Sequence, residues 1–242
     1  MSPEAPPLLA VENLVKRFGG FRALNGVSFA LRAGEALGLV GPNGSGKTTC
    51  INVISGLYPP DGGRVTFGGQ SIGGVRPHRL ARRGINRTFQ SPKPFLSLTV
   101  RENVELAASY GNTGTAPDLD ALLASLELDR FADRPAGELN SAQEKSLDLG
   151  RALATSPRIL LVDELAAGLN PTELARMAAR LRALAQQGMA LLVVEHLMSF
   201  IDQVTDRVVV MAAGREFFGG TFAEAVRHPE VIRVFLGTAH HD

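Results

Sequence analysis

The feature that most constrains this chain is the run GPNGSGKT at residues 41–48. It follows the compact apolar segment Ala36–Val40 and leads into Lys47–Leu57, where apolar residues recur at helical spacing. A strand, a glycine loop and a helix in this order are typical of a phosphate-binding loop, because glycines let the backbone wrap around a polyphosphate. Amide N–H groups and the helix N-terminus then stabilise the negative charge. The run therefore predicts a polyphosphate site, although a glycine turn before an ordinary helix is the alternative.

The motif also assigns roles to individual residues. Lys47 is expected to reach the β- and γ-phosphates of a nucleotide, and the hydroxyl of Thr48 is expected to bind Mg²⁺. The residues predicted to surround the phosphates are Gly41, Pro42, Asn43, Gly44, Ser45, Gly46, Lys47, Thr48 and Thr49.

Two further apolar segments end in polar residues. Ile159–Val162 is followed by Asp163 and Glu164, at the strand end where open α/β sheets bind ligands. Because successive side chains of a strand point to opposite sides, the two carboxylates should differ in role. Asp163 fits a Mg²⁺ site, and Glu164 fits the polarisation of the water that attacks the γ-phosphate. Without the phosphate loop, the pair could equally be a solvated strand end.

The third apolar segment, Ala190–Val194, runs into Glu195 and His196. If this strand lies in the same sheet as the phosphate loop, its end can present His196 to the γ-phosphate as a positioning and charge-stabilising group.

Composition excludes several classes of protein. A length of 242 residues favours one large domain or a domain with a subdomain, at roughly 150 residues per domain. A net charge of +1 and a pI near 8.0 give no global case for nucleic-acid binding, for which a domain pI above about 9 is usual. No apolar run approaches the roughly 18 residues of a membrane span, and residues 1–7 lack a secretory pattern. With a single cysteine, Cys50, a cytosolic setting is expected.

The alternation of strands and helices predicts an α/β fold with a mainly parallel sheet, preceded by an antiparallel β region over Leu8–Phe29. Residues 91–150 have helical periodicity and are interpreted as an inserted helical subdomain. We therefore expect a single domain over residues 1–242, with 1–90 and 151–242 forming the α/β core. Thr221–Leu236 is predicted to form two short helices.

Capping patterns refine the helix starts. The spacing predicts helices over Thr99–Ser109, Asp118–Leu126, Ala142–Ala154 and Thr172–Gln187. The predicted capping pairs are Thr99 with Glu102, Ser141 with Glu144, and Asn170 with Glu173.

Together these motifs resemble the ATP-binding subunits of ABC transporters, over nearly the whole chain and in the family's order. Phe18 matches the aromatic residue that stacks on adenine, and Gln90, within RTFQ, matches the glutamine loop. Asp163 with Glu164 matches the Walker B motif, and His196 the switch histidine. More narrowly, the segments KRFGGFRAL, RPHRLARRGINRTFQ, LTVRENV, AAGLNP and VVEHLM look like the ATPase subunits of branched-chain amino-acid importers and of their urea and amide relatives.

The resemblance implies an ATPase with ATP and Mg²⁺ as cofactors, coupled to transport through a membrane permease. Residues implied in catalysis are Lys47, Gln90, Glu164 and His196, and those implied in metal binding are Thr48, Gln90 and Asp163. It also implies a head-to-tail dimer in which each ATP lies between one chain's phosphate loop and the other chain's signature motif.

The family's architecture also implies partners. The chain would dock peripherally on permease subunits at the cytoplasmic face of the membrane, in a system with an upstream solute-binding protein. The glutamine loop and the helical segment would contact the permease. Phe95, Leu96 and Leu98 would then line the docking groove, or would be core residues of the helical subdomain; the sequence leaves both readings open.

The signature motif departs from the family pattern. Leu-Ser-Gly-Gly-Gln, or Leu-Ser-Tyr-Gly-Gln in the importer branch, is replaced here by Leu139-Asn140-Ser141-Ala142-Gln143. An added Cβ at residue 142 obstructs the close approach of a phosphate to the helix N-terminus. The chain's own phosphate site keeps its expected residues, so we expect a heterodimer with a paralogous ATPase, a homodimer being the alternative.

Three alternatives remain. The chain could be a regulatory nucleotide-binding subunit with weak hydrolysis, or the ATPase of another ABC transporter branch. It could also be an ABC protein acting on nucleic acid, for which the stretch Arg76, Arg79, Arg82, Arg83 and Arg87 is the best support. Such a run more often forms a solvated helix face or a subunit contact, so no nucleic-acid partner is expected.

Overall fold

The structure is a computed structural model that describes residues 6–88, 93–111 and 117–237. The strands, in chain order, are β1 (Leu9–Phe18), β2 (Phe21–Leu31), β3 (Ala36–Val40), β4 (Gly62–Phe67), β5 (Gln70–Ser71), β6 (Ile85–Arg87), β7 (Ile159–Asp163), β8 (Ala190–Val194), β9 (Arg207–Ala212) and β10 (Arg215–Gly220). The α-helices are α1 (Lys47–Ile54), α2 (Pro77–Arg82), α3 (Val100–Ser109), α4 (Leu119–Ser125), α5 (Ser141–Ala154), α6 (Pro171–Gln186), α7 (Met198–Val204), α8 (Phe222–Ala225) and α9 (Pro229–Gly237).

The strands form two sheets. The first is antiparallel, with strand order β2-β1-β4-β5. The second has the order β10-β9-β3-β8-β7-β6, in which β9, β3, β8, β7 and β6 run parallel and β10 pairs antiparallel at one edge. No helix within the described ranges is both long and apolar enough to cross a membrane. The predicted fold class, a mainly parallel α/β core with an antiparallel β region and added helices, is confirmed.

Alternation along the central strands creates two hydrophobic cores. In β7, Ile159 and Leu161 face the core shared with α1 and the antiparallel sheet, whereas Leu160 and Val162 face the core shared with α5 and α6. Because both faces are covered, these strands read as continuous apolar runs. Cys50 on α1 is fully buried in the first core, where desolvation raises the pKa of its thiol to about 12, so it packs as a small apolar residue.

The principal strands and helices agree with the sequence-based predictions to within a few residues, and the two C-terminal helices are present. The sequence-based predictions do not include β4 to β6, α2 or the β9–β10 hairpin. α3, α4 and α5 lie between β6 and β7, and α5 continues to Ala154, past residue 150. The division of the chain at 91 and 150 stays a prediction.

The start of α5 differs from the prediction. Asn140, not Ser141, is the N-cap: its side chain accepts a hydrogen bond from the Gln143 N–H (2.9 Å), and the Gln143 side chain accepts one from the Asn140 N–H (2.9 Å). Asn and Ser are comparable N-caps, and Gln143, three residues after Asn140, stands at the position from which its side chain can reach back to the cap. The caps predicted at Thr99 and Asn170 are both confirmed as capping boxes.

Replacing Asn140 by Ala should therefore lower the free energy of unfolding by about 0.5–2 kcal/mol, because a helix N–H loses its acceptor. The matched variant Ser141→Ala, at an exposed first-turn position, should change it by less than about 0.5 kcal/mol. Urea denaturation followed by circular dichroism measures both. Equal losses, or a larger loss for Ser141→Ala, would contradict the observed cap.

Candidate nucleotide-binding site

The parallel register brings three strand ends to one edge of the sheet. Val194 at the end of β8 is paired with Leu39 of β3 on one side and with Asp163 of β7 on the other. The chain leaves all three strands at this level, and the following residues are the glycine loop, Glu164, and Glu195 with His196. The sequence elements singled out separately thus meet at one place.

The loop can be formed only by glycine at two of its positions. Gly41 has φ +148°, and a Cβ there would lie 2.2 Å from the carbonyl oxygen of Met211. Gly46, which precedes α1, has φ +106°, and its Cβ would lie 2.6 Å from the carbonyl oxygen of Ala23. The backbones of β9 and β2 therefore pack so closely against the loop that its conformation requires glycine at these two positions.

Lys47 lies inside this curve. Its Nζ donates hydrogen bonds to the carbonyl oxygens of Gly41 (2.7 Å) and Pro42 (2.9 Å), and the residue is 5% exposed. Desolvation lowers the pKa of its ammonium group, and the negative charges of Glu164 and Asp163 oppose that shift. Ser45 Oγ is also buried and has no hydrogen-bond partner within the described residues, so a polar group that needs an acceptor or donor lies beneath the loop.

A cleft runs from the loop to the β1–β2 turn. Its lining residues are Phe18, Phe21, Ala23, Asn43, Gly44, Gly46, Lys47, Thr48, Thr49, Glu164 and His196. Phe18 is 44% exposed; its ring meets the edge of Tyr58 at 5.2 Å between centroids, and Lys16 Nζ lies 5.6 Å from the ring. Phe21, paired with Phe18 across the turn, is 65% exposed. The far end of the cleft is thus aromatic and the near end is cationic and rich in N–H donors, which matches a base joined to phosphates.

Glu164 and His196 both line the cleft and are in direct contact with each other. Glu164 Oε1 lies 2.7 Å from His196 Nε2. Glu164 has a left-handed backbone (φ +50°), and its N–H donates to the carbonyl oxygen of Val194 at 2.9 Å. A non-glycine residue held in this conformation next to a cleft marks a geometry that the surrounding structure imposes.

Asp163 occupies a different environment from its neighbour. It is 4% exposed, does not line the cleft, and its Oδ2 accepts a hydrogen bond from Arg87 Nη2 at 2.8 Å. Desolvation raises the pKa of its carboxyl group, and the positive charge of Arg87 counteracts this. The two adjacent carboxylates therefore point to opposite sides, as strand geometry requires.

The oxygen donors at this edge suit Mg²⁺. No cluster of three or more His, Cys, Asp or Glu side chains able to hold a metal is found in the described part of the chain. Mg²⁺ in nucleotide sites needs no such cluster, since one or two protein oxygens complete a shell of phosphate oxygens and water. The Thr48 hydroxyl and the Asp163 carboxylate can supply those oxygens. Gln90, the third predicted ligand, lies outside the described residues.

A buried polar network lies behind the site. On α5, Lys145 Nζ donates to the carbonyl oxygens of Leu165 (2.9 Å) and Ala167. Glu195 Oε1 accepts from the Ala166 N–H at 2.7 Å, and Glu195 is only 2% exposed. Desolvation lowers the pKa of Lys145 and raises that of Glu195, and the attraction between them opposes both shifts. Hydrogen bonds from Lys145 and to Glu195 thus hold residues 165–167, the loop after Glu164.

Comparison with known proteins identifies the family. Residues 24–167 match the family model described as "ABC transporter". This chain belongs to that family. It is the ATP-binding subunit of an ABC transporter, and it is an ATPase.

One similar relative is the high-affinity branched-chain amino acid transport ATP-binding protein BraF of Pseudomonas aeruginosa. It is 35% identical over 255 residues, which cover 96% of this chain and 99% of BraF. The cassette MJ1267, solved in its ADP conformation, is 33% identical with a TM-score of 0.86 over 96% of this chain and 100% of that one. A dimeric post-hydrolysis state of the cassette MJ0796, bound to ADP and Pi, is 25% identical with a TM-score of 0.78 and covers 88% and 98% of the two chains.

Four site residues were not assigned a role from the sequence: Phe21, Arg87, Lys145 and Glu195. Phe21 could have been found from its place opposite Phe18 in a two-residue turn. Glu195 is a charged residue directly after a wholly apolar strand, which is a usable signal. Lys145 and Arg87 gave no signal of their own, because the partners of each are distant in sequence.

Replacing Lys145 by Met should lower the free energy of unfolding by about 1–3 kcal/mol, because the carbonyl groups of Leu165 and Ala167 lose their donor and Glu195 loses a compensating charge. Lys93→Met at an exposed position is the matched control and should cost less than about 0.5 kcal/mol. Urea denaturation of the two variants gives the comparison. A Lys145→Met protein as stable as the control would show that the network contributes nothing to stability.

Proposed function

We propose that this chain powers the import of branched-chain amino acids or similar polar solutes, by binding and hydrolysing ATP on a membrane permease. The solute class rests on the similarity to BraF over nearly the full length of both chains. The single observation that carries the catalytic part is the cleft itself, in which the glycine loop with Lys47 faces the pair Glu164 and His196.

The polar and aromatic residues of the cleft have proposed roles. Phe18, with Phe21 beside it, holds the adenine, and residues 41–49 hold the phosphates. Glu164 orients the attacking water, and His196, hydrogen-bonded to Glu164, contacts the γ-phosphate. Lys47 stabilises charge on the β- and γ-phosphates. Positioning and electrostatic stabilisation carry most of the catalysis of phosphoryl transfer, so fixed donors around the γ-phosphate are what such a site needs.

Magnesium belongs to the same proposal. When bound, Mg²⁺ neutralises charge on the β- and γ-phosphates. Thr48 and Asp163 would hold it, together with Gln90. Glu164 is then left for the water, because it lines the cleft, whereas Asp163 is buried and does not.

Two substitutions separate binding from hydrolysis. Lys47→Ala should weaken ATP binding by about 10–100-fold, since a charge-assisted contact to phosphate is lost. Glu164→Gln should leave ATP affinity nearly unchanged and lower turnover by about 10²–10⁴-fold, because the amide is a poor base. Equilibrium binding of ATP and a phosphate-release assay measure the two quantities. Unchanged ATP affinity in Lys47→Ala would refute the proposed nucleotide site. Undiminished turnover in Glu164→Gln would refute the role of Glu164 in activating the attacking water.

The docking partner is proposed to be a permease, at the cytoplasmic face of the membrane and fed by a solute-binding protein. Phe95 and Leu96 are 49% and 58% exposed, and the guanidinium of Arg151 lies 5.6 Å from the Phe95 ring. Exposure of two large apolar side chains favours a docking surface over a place in the core. Leu98 is half-buried, so it contributes less to such a surface.

The altered signature supports pairing with a paralogous ATPase. The Asn140 side chain caps α5, so the Gln143 N–H already donates a hydrogen bond to Asn140 Oδ1. A phosphate approaching this helix end loses that donor and meets the added methyl group of Ala142. Dimeric assembly is known for the similar cassette MJ0796. We infer a heterodimer whose active composite site joins this chain's phosphate loop to the paralogue's signature motif.

This asymmetry predicts slow hydrolysis by the isolated chain and faster hydrolysis on mixing with the paralogue. Ala142→Gly should raise the turnover of the isolated chain by about tenfold or more, since the methyl group that obstructs the phosphate contact is removed. Phosphate release with matched protein concentrations provides the measurement. Fast turnover by the unmodified chain alone would remove the reason for a heterodimer. If Glu164→Gln leaves the mixed complex fully active, the chain is a regulatory subunit.

A further inference from the structure

The five arginines between residues 76 and 87 do not form one surface. Arg76, Arg79, Arg82 and Arg83 are exposed on or beside α2, whereas the Arg87 side chain is only 10% exposed at the end of β6. A charged side chain is rarely buried unless it is paired, so Arg87 has a task that the others do not share. The basic stretch, the best support for nucleic-acid binding, therefore consists of four exposed arginines and one buried arginine and is not a single basic surface.

The Arg87 guanidinium connects three elements of the nucleotide site. Nη1 donates to Asn52 Oδ1 at 2.7 Å and to Ser55 Oγ at 3.2 Å. Asn52 lies in the last turn of α1, the helix that follows the phosphate loop, and Ser55 is the C-cap of that helix. Nη2 donates to Asp163 Oδ2 at 2.8 Å. The negative charge of Asp148 on α5 also acts on the guanidinium. One planar cation thus spans the helix after the loop, β6 and the end of β7.

The Arg87 guanidinium is held in one position, unlike a mobile counter-ion. Because Asn52 and Ser55 fix one edge of the guanidinium, the nitrogen that meets Asp163 has a defined position. The hydrogen bond restricts rotation of the carboxylate, and it engages Oδ2 of the two carboxylate oxygens. Partners that orient a ligating carboxylate in this way typically change metal affinity about 10–100-fold when removed.

We propose that Arg87 is a positioning residue for the metal site: it orients the Asp163 carboxylate and thereby sets how strongly Mg²⁺ supports nucleotide binding. This inference rests on the proposed function, in which Asp163 is a Mg²⁺ ligand. Arg87 itself does not line the cleft, so we expect it to make no direct contact with nucleotide. Its effect should therefore fall on the metal-dependent part of binding and spare the metal-free part.

The test measures ADP affinity of the full chain in EDTA and over a Mg²⁺ titration. In Arg87→Met, the affinity in EDTA should stay within about twofold of the unmodified protein, and the Mg²⁺ concentration for half-maximal enhancement should rise about 10–100-fold. Arg87→Lys should be intermediate, since a single ammonium cannot span Asn52 and Asp163 with the same geometry. Asn52→Ala, which keeps both charges and removes one anchor, should shift the titration in the same direction by a smaller factor.

Arg83→Met is the matched control, because it removes an exposed arginine from the same stretch, and it should leave both quantities unchanged. If Arg87→Met does not fold by circular dichroism, Arg87→Lys and Asn52→Ala decide the matter. A Mg²⁺ titration in these variants equal to that of the unmodified protein would overturn the inference, as would tighter Mg²⁺ binding, which would make Arg87 a competitor of the metal. If the unmodified protein binds ADP equally with and without Mg²⁺, the proposed metal site fails as well.

Discussion

The nucleotide site depends on the parallel register of β3, β8 and β7. Hydrogen bonding between neighbouring strands sets Leu39, Val194 and Asp163 at one level, so the three chain segments that follow leave the sheet side by side. A shift by one residue would turn the buried face of a strand towards the opposite core and would also move its polar terminus away from the cleft. The two cores on either side of the sheet therefore specify, through ordinary side-chain packing, where Lys47, Glu164 and His196 meet.

Buried charge is the second organising element. Lys47, Asp163, Lys145 and Glu195 are each less than a tenth exposed. Burial of an ion is costly unless partners replace its water, and each of these groups is satisfied mainly by backbone groups or by a fixed counter-charge. Arg87 provides the counter-charge of Asp163, and loop carbonyls hold Lys47 and Lys145. Such groups contribute little to net stability as pairs, but they hold the carboxylates and the histidine in one geometry.

Sequence reasoning predicted the parts of the site that depend on local chemistry. The apolar strands β3, β7 and β8 and the glycine loop are visible because each is a continuous local pattern. β6 was missed because three residues carry no periodicity, and the cap of α5 was assigned to Ser141 because two adjacent polar residues satisfy the same pattern. Arg87 was grouped with its exposed neighbours, since its partner Asp163 is 76 positions away and only the sheet brings them together.

The connection between the signature segment and the catalytic edge follows from the same buried groups. α5 begins at the altered signature and carries Lys145 on its second turn, and Lys145 holds the carbonyl groups on either side of Ala166. The N–H of Ala166 is held by Glu195, the residue before His196. This short loop is the direct continuation of Asp163 and Glu164. The backbone of residues 165–167 therefore links α5, which carries the signature, to the end of β8, which is followed by Glu195 and His196. If α5 moves while Lys145 and Glu195 keep their hydrogen bonds, this backbone must move with it, and it directly follows Asp163 and Glu164.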